Sequence, residues 1–342
     1  MPQHVRVGTR ASILALTQTG HVAQALATLA AHPGSESLTV ETVRVRTDGD
    51  RLTGSLASLG GTGVFVTALR DALLDGRCDL AVHSLKDLPT GPADGLVLGA
   101  VPLRQDPRDA LCARDGLTLA TLPTGARVGT GSPRRAAQLL AARPDLDVVD
   151  IRGNVDTRLR RVAPGDLDAV VLARAGLARL ERLDQVTETF EPDVMAPAPG
   201  QGALAVEVRT ADADGTTPLA RALRALDHRP TRLAVVAERA LLARLEAGCA
   251  APVGALGRLD DDGRTLHLDA VVARTDGTRT LRRSSTTVLG AVAGASPAAG
   301  TLADALAEAQ ADTLAAEQLG RALAEQLLDA GAAELAELGA TR

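Results

Sequence analysis

Tryptophan and tyrosine are absent from this 342-residue chain, and phenylalanine occurs only twice. With so few aromatic side chains there is little platform on which unpaired bases could stack. Positive charge is not in excess either: 37 basic residues stand against 42 acidic ones, for a net charge of -5. Neither nucleic acid nor an anionic membrane surface is therefore an expected partner. No run of about 18 apolar residues occurs, so no transmembrane helix is expected. Residues 1–6 lack the apolar core of a signal peptide. Three cysteines, none in a C-x-x-C pair, fit a reducing cytoplasm, and no His/Cys spacing suggests a metal site. Lysine and asparagine occur once each, as Lys86 and Asn154, while arginine, alanine, glycine and leucine abound. The missing residues have AT-rich codons, as in a GC-rich genome. Under that pressure a surviving lysine is either a chance survivor or marks a place where the compact ammonium differs from a planar guanidinium.

What is present is ordinary for a soluble globular protein: 45% apolar and 23% charged residues. At roughly 100–200 residues per domain, the length suggests two or three domains.

Two segments look alike. Arg6-Val7-Gly8-Thr9 and Arg127-Val128-Gly129-Thr130 each lead from a strand through a short loop into a helix, starting at Ile13 and at Pro133. A second pair follows in the same order, residues 76–82 and 165–171, each a turn and then an apolar strand of the buried parallel type. Two similar α/β lobes with parallel sheets are the expected result. Pro-rich residues 101–107 mark the lobe boundary, and residues 197–202 mark a return crossing, as a hinge beside a cleft would need. The lobes are expected at 1–102 with 203–222, and at 103–202. A third, α+β domain over 223–342 combines a helix at 231–245, β-like runs at 253–259, 264–273 and 278–288, an Ala/Gly-rich loop at 289–301 and a helix at 313–330.

Chemistry is expected first at the helix starts. Ser12 and Ser132 are good N-caps and Pro133 a good first residue. Free N–H groups there suit anions. Arg134 and Arg135 sit in a first turn, where the helix dipole disfavours cations; a local rule broken in this way points either to a site or to exposed arginines on a surface helix. Arg152 and Arg158 follow a strand's C-terminal end, where open α/β sheets bind ligands, and Arg174 and Arg179 follow the next strand. Residues 127–182 hold eleven arginines and no lysine. Guanidinium forks match carboxylates, so a small polycarboxylate or phosphate ligand is indicated. In Ala-Val-His-Ser-Leu-Lys-Asp-Leu-Pro (81–89) a buried strand delivers Ser84, Lys86 and Asp87 to the sheet's C-terminal edge. There Asp87 can stabilise a cation or move a proton, or simply pair with Lys86. His83, on the strand, is expected to be a satisfied core residue. Cys78 and Cys112 read as small core residues, whereas Cys249, in a loop after a helix stop, reads as an accessible thiol or a bland turn. A ligand-binding module would share the two lobes without needing Cys249. A pyridoxal-phosphate enzyme would use Lys86 in a Schiff base.

Taken as a set, the motifs resemble the porphobilinogen deaminase (hydroxymethylbilane synthase) family. Those that carry the resemblance are Val-Gly-Thr-Arg-Ala-Ser (7–12), Leu-Gly-Gly-Thr-Gly-Val-Phe (59–65), residues 81–89, Asp-Pro-Arg-Asp-Ala (106–110) and Gly-Thr-Gly-Ser-Pro-Arg-Arg (129–135). Arg-Gly-Asn-Val-Asp-Thr-Arg (152–158), Pro-Gly-Gln-Gly-Ala (199–203) and Glu-Ala-Gly-Cys (246–249) complete the set. The resemblance implies an α/β fold with two lobes of the type II periplasmic-binding-protein kind plus a small third domain. It further implies a transferase that condenses four porphobilinogen molecules on a dipyrromethane cofactor joined by a thioether to Cys249. Asp87 would be catalytic. Arg10, Ser12, Ser84, Lys86, Thr130, Ser132, Arg134, Arg135, Arg152, Arg158, Arg179, Gln201 and Gly202 would bind cofactor or growing chain. A cytoplasmic monomer is implied. Some family members carry lysines where this chain has Ser58 and Thr62, and a hydroxyl residue where it has Gly131, so those contacts do not carry over.

Overall fold

The structure, a computed structural model, describes residues 3–31, 37–45, 63–213, 215–247, 251–290 and 302–336. It divides into two compact units, Met1–Gln105 with Gly202–Arg232, and Asp106–Gln201 with Leu233–Arg342.

The first unit begins with β1 (Gln3–Thr9), α1 (Ile13–Ala30), β2 (Leu38–Arg44), α2 (Gly63–Leu74), β3 (Leu80–Ser84) and β4 (Leu96–Ala100). A second set lies in the other unit: β5 (Asp109–Ala113), β6 (Arg127–Gly129), α3 (Pro133–Ala142), β7 (Asp147–Val149), α4 (Val155–Leu159), β8 (Ala169–Ala173), α5 (Arg174–Arg179) and β9 (Glu188–Thr189). The chain then returns to the first unit with β10 (Leu204–Arg209), α6 (Thr210–Ala213) and α7 (Pro218–Leu226).

The two five-stranded sheets have the same plan, β2-β1-β3-β10-β4 and β7-β6-β8-β5-β9. This is the two-lobed α/β architecture expected from the motifs, with one correction. The sheets are not purely parallel: β10 runs antiparallel to β3 and β4, and β5 antiparallel to β8 and β9. Each antiparallel strand is the first after a crossing between units, so it enters its sheet from the end opposite to a strand delivered by a local βαβ turn. Both faces of the first sheet are covered. Val22 and Leu26 of α1 and Leu219 and Leu223 of α7 pack on Val5, Val7, Val82 and Val206, while Leu69 and Leu73 of α2 pack with Cys78 on the other side. A fully buried leucine such as Leu26 contributes about 1.5–3 kcal/mol.

Identical charged brackets tie the repeat together. In the first sheet the Arg6 amide donates to Asp79 Oδ2 at 2.8 Å, and Arg209 from β10 reaches Asp79 Oδ1 at 3.3 Å. In the second the Arg127 amide donates to Asp168 Oδ2 at 2.7 Å, and Arg114, just after β5, donates to Asp168 Oδ1 at 2.7 Å.

The remaining chain forms α8 (Arg229–Arg244), the antiparallel sheet β11 (Val253–Leu259), β12 (Thr265–Ala273) and β13 (Thr280–Val288), α9 (Leu302–Asp329) and α10 (Ala332–Leu335). Leu233, Ala237, Leu241 and Leu245 pack with Leu319, Leu323 and Leu327 over Leu266 and Leu268. Helix α9 starts eleven residues earlier than its leucine stripe suggests, because residues 302–312 are mostly alanine, glutamate and other good helix formers. Cys249, the 59–62 stretch and residues 291–301 lie outside the described residues.

Candidate functional site

In the first unit, β1 and β3 are adjacent and parallel, with Val7 opposite Leu80 and Gly8 opposite Ala81. Their C-terminal ends therefore form one edge, and the expected residues fall there. Arg10 follows β1. Ser12 caps α1, its side chain accepting from the Ala15 amide at 3.2 Å. Ser84 ends β3 and accepts from Gln18 Nε2 of α1 at 3.0 Å. A single 3₁₀ turn, Leu85–Asp87, carries Lys86 and Asp87 beyond the strand. The turn is held from both sides, since the Leu85 amide donates to Ala203 O at 3.1 Å and Leu88 closes back on Leu85 O. Gly202, next to that acceptor, adopts φ +84, a conformation that favours glycine. Asp87 is half-buried, and among the described residues nothing hydrogen-bonds or ion-pairs with its carboxylate. A simple pairing with Lys86 is thus not what holds it.

His83 is a core residue, as expected, and a buried cluster surrounds it. Its Nε2 lies 3.4 Å from Glu207 of β10, and Arg70 of α2 grips the same carboxylate at 2.8 Å and 3.2 Å. Burial would raise the Glu207 pKa, but the hydrogen bonds from His83 and Arg70 outweigh it and hold the group below its ordinary value.

In the second unit, β6, β7 and β8 run parallel and deliver their following residues to one edge. Thr130, Ser132 and the first turn of α3 follow β6. Arg152 and Arg158 follow β7, with Asn154 Oδ1 capping α4 by accepting from the Thr157 amide at 2.8 Å. Arg174 and Arg179 follow β8. Ser132 occupies the N-cap of α3 but makes no side-chain cap; its amide donates to Thr130 Oγ1 at 3.2 Å instead. The structure brings these residues together as the sequence suggests, but Arg134 and Arg135 are not surface groups. They are only 4% and 5% exposed. Both pair with Asp109, the fully buried first residue of β5: Arg134 Nη2 with Oδ2 at 2.8 Å, and Arg135 Nη2 with Oδ1 at 2.8 Å. Gln201 Nε2 also donates to Asp109 Oδ1 at 2.8 Å. Burial pushes the Asp109 carboxyl up, and the two guanidiniums and Gln201 pull it down further, to about 2.

Further arginines stand at this edge. Arg158 is held below the ordinary guanidinium range by burial first and then by Arg135 and Arg152, with Asp150 the one carboxylate acting against them. Burial alone lowers Arg179 to about 10. Arg174 instead pairs with Asp106 at 3.4 Å and belongs to a surface ion-pair cluster with Arg108. Cys78 and Cys112 are buried, and burial pushes the Cys112 thiol to about 12, so neither is a nucleophile at neutral pH.

Sequence reasoning missed Asp109, Glu207 and Glu238. Glu207 lies within an apolar run and Asp109 and Glu238 each border one, and that is the signal: a buried carboxylate must have cations or N–H donors around it. Glu238 of α8 is fully buried and accepts from the Gly200 amide at 2.6 Å and the Gly257 amide at 2.8 Å.

This α/β protein gathers guanidinium groups and a helix N-terminus at one sheet edge, a donor set that suits small polyanions, and carries a half-buried carboxylate at an edge of its other sheet. Residues 5–217 match the family model described as porphobilinogen deaminase, dipyromethane cofactor binding domain, and residues 232–329 match the porphobilinogen deaminase C-terminal domain. The porphobilinogen deaminase of Leifsonia xyli subsp. xyli is 62% identical over 82% of this chain and 83% of its own. That of Micrococcus luteus is 56% identical over 83% and 82%. Among solved structures, the methionine binding protein MetQ aligns at a TM-score of 0.42 and 12% identity, over 66% of this chain and 91% of its own. The chain belongs to the porphobilinogen deaminase family.

Proposed function

We propose that this chain is a transferase that condenses four porphobilinogen molecules into the linear tetrapyrrole hydroxymethylbilane, acting as a cytoplasmic monomer. Each addition joins the aminomethyl carbon of one porphobilinogen to the free α-carbon of the preceding pyrrole, breaking the carbon–nitrogen bond and the pyrrole carbon–hydrogen bond and releasing ammonia, and one water supplies the hydroxyl of the released product. The observation that carries the reading is the gathering of guanidinium groups at the second sheet's edge: Arg134 and Arg135 stand on Asp109 in the first turn of α3, and Arg158 feels the field of Arg135 and Arg152. Porphobilinogen bears an acetate and a propionate, and carboxylates of that kind match guanidinium forks.

The same donor set fits a dipyrromethane, which carries four such carboxylates. Arg134 Nε, buried and without an acceptor among the described residues, adds one unfilled donor. Arg134, Arg135, Arg152, Arg158 and Arg179, with Thr130 and Ser132 at the start of α3, would hold it, and Cys249 would attach it by a thioether. When bound, the dipyrromethane supplies the nucleophilic pyrrole carbon from which the chain grows.

The chain's own residues do the rest. Asp87, held on a 3₁₀ turn fixed to Ala203, offers a carboxylate to the pyrrole N–H groups and stabilises the cation left when ammonia departs. It can also pass a proton toward the leaving amine and take one from the pyrrole α-carbon. Arg10, Ser12, Ser84, Lys86 and Gly202 share its edge, and Gln201 lies beside Asp109 in the second unit. The third domain is proposed to run over 223–342, and the lobes over 1–102 with 203–222 and over 103–202. Among the described residues no helix is long and apolar enough to cross a membrane.

Intact mass tests the reading directly. Active native protein is expected to exceed its sequence mass by one dipyrromethane, while Cys249→Ser shows bare mass and no turnover. Active protein at bare mass overturns the covalent attachment, and no turnover of porphobilinogen overturns the function. Size-exclusion mass checks the monomer.

A further inference from the structure

We infer that Asp109 is a positioning residue for the polyanion site: it fixes the guanidinium groups of Arg134 and Arg135 so that the edge of the second sheet presents a set geometry and a set surplus of positive charge. The inference rests on the function proposed above and adds to it a residue that makes no contact with substrate.

The geometry is over-determined. Asp109 Oδ1 accepts from Arg135 Nε at 3.1 Å and Arg135 Nη2 at 2.8 Å, and Oδ2 pairs with Arg134 Nη2 at 2.8 Å. One carboxylate thus spans two consecutive arginines of a helix's first turn. Their outer ends are pinned as well, Arg135 Nη1 on Val171 O at 3.1 Å and Arg134 Nη1 on Ala196 O at 2.5 Å. The carboxylate itself is locked by Gln201, which also donates to Pro107 O at 2.7 Å. Behind Gln201, the Gly200 amide is bound by buried Glu238, so the segment carrying Gln201 is fixed in turn.

The chain contains its own control for whether the scaffold needs this carboxylate. Asp109 opens the antiparallel strand of the second sheet and faces Ala173, the last residue of β8. The residue that opens the antiparallel strand of the first sheet is Leu204, facing Ser84, the last residue of β3. Leu204 is buried in an apolar core. The same strand position therefore works with leucine where the neighbouring helix opens with Ile13 and Leu14 instead of two arginines. The carboxylate is there for the arginines. It also sets the charge: with Asp109 ionised, the triad carries one net positive charge, and the field of Arg135 is felt at Arg158.

Two variants of the full chain test the inference, Asp109→Asn and Asp109→Glu, each purified, weighed by intact mass and assayed for porphobilinogen turnover per loaded molecule. Asparagine keeps the shape and removes the charge. Glutamate keeps the charge and moves it by about 1.5 Å, one carbon–carbon bond. Asp109→Asn is expected to load the dipyrromethane poorly. Asp109→Glu is expected to keep the wild-type urea midpoint more closely, yet raise KM about tenfold or more with kcat nearly unchanged, because misplaced guanidiniums lose binding rather than chemistry. A role in charge balance alone predicts full rescue by glutamate. The inference is overturned if either folded variant loads and shows wild-type KM, or if neither variant folds, which makes Asp109 structural only. If the wild type carries no added mass and no activity, the proposed function fails instead, and the two failures are told apart by that one measurement.

Discussion

Removing the Glu207 side chain is expected to destabilise the protein far more than any exposed charge change. The carboxylate is 3% exposed and Arg70, its main partner, 19%. Three close contacts join Arg70 to both carboxylate oxygens, and His83 Nε2 lies 3.4 Å from Oε2. Glu207→Ala leaves a half-buried guanidinium and a buried imidazole without their anion, and breaking such a pair costs about 3–5 kcal/mol. Glu207→Gln keeps the shape and one acceptor and should cost about 1.5–3 kcal/mol, the worth of a hydrogen bond to a charged group. The double variant Arg70→Met/Glu207→Leu removes both charges, fills the space and should lie within about 1 kcal/mol of wild type. With the single variants Arg70→Met and Glu207→Leu, the double then gives a coupling of at least about 2 kcal/mol. Urea unfolding followed by far-ultraviolet circular dichroism is the assay, since the chain has no tryptophan or tyrosine to report by fluorescence. The pH dependence has a definite sign. The folded carboxyl sits below its ordinary 4.5, so its stabilisation is fully present above that value and is lost as pH falls through the folded one. The gap between wild type and Glu207→Ala should therefore be constant near neutrality and close below about pH 4.5. Additive single losses, or a gap that widens in acid, would refute the reasoning.

Asp87→Asn should fold within about 1 kcal/mol of wild type but lower kcat at least about a hundredfold, measured by single-turnover kinetics on loaded protein; near-normal turnover removes Asp87 from the chemistry. Arg158→Leu deletes a charge-assisted partner worth roughly 1.5–3 kcal/mol and should stall loading or elongation, visible as missing pyrrole mass; unchanged mass distributions during turnover contradict it. Native protein at pH 8 should resist thiol reagents at Cys78 and Cys112, whose thiols burial pushes up, until it is unfolded; rapid labelling of either by peptide mapping would show that the cores around them open. Gly131→Ala places a Cβ 2.6 Å from the Ile151 carbonyl, so it should cost about 1–3 kcal/mol and weaken the neighbouring Arg152 site; an unchanged urea midpoint counts against that close approach.

Much of the fold was legible because the repeat is local. The paired tetrapeptides became β1 and β6, and the paired 76–82 and 165–171 segments became β3 and β8 in equivalent registers, Gly8 opposite Ala81 and Gly129 opposite Val170. Strand alternation and turn residues set β11, β12 and β13 to within two residues. The antiparallel strands β5 and β10 were not legible as such, since direction depends on where the chain re-enters a sheet and not on strand composition. The same limit hid Asp109. Sequence shows arginines breaking the helix-dipole rule at 134 and 135, but their compensating acid lies 25 residues away on a strand whose place in the sheet only the fold reveals. Ser132 illustrates a smaller miss, because its backbone turns onto Thr130 and its hydroxyl is not spent on the cap.

The order of strands has a consequence for biosynthesis. All five strands of the second sheet lie between residues 109 and 189, so that sheet can close as soon as they leave the ribosome. The first sheet cannot. Its β10 sits between β3 and β4, and until residues 204–209 emerge β4 has no neighbour and β3 shows an open edge. At roughly 5–20 residues per second, the N-terminal half of the nascent chain waits several seconds for the strand that completes it. The lobe made first is thus finished second. During that interval an apolar strand edge is exposed to neighbouring chains, which makes residues 80–100 the stretch most in need of a chaperone on the polysome.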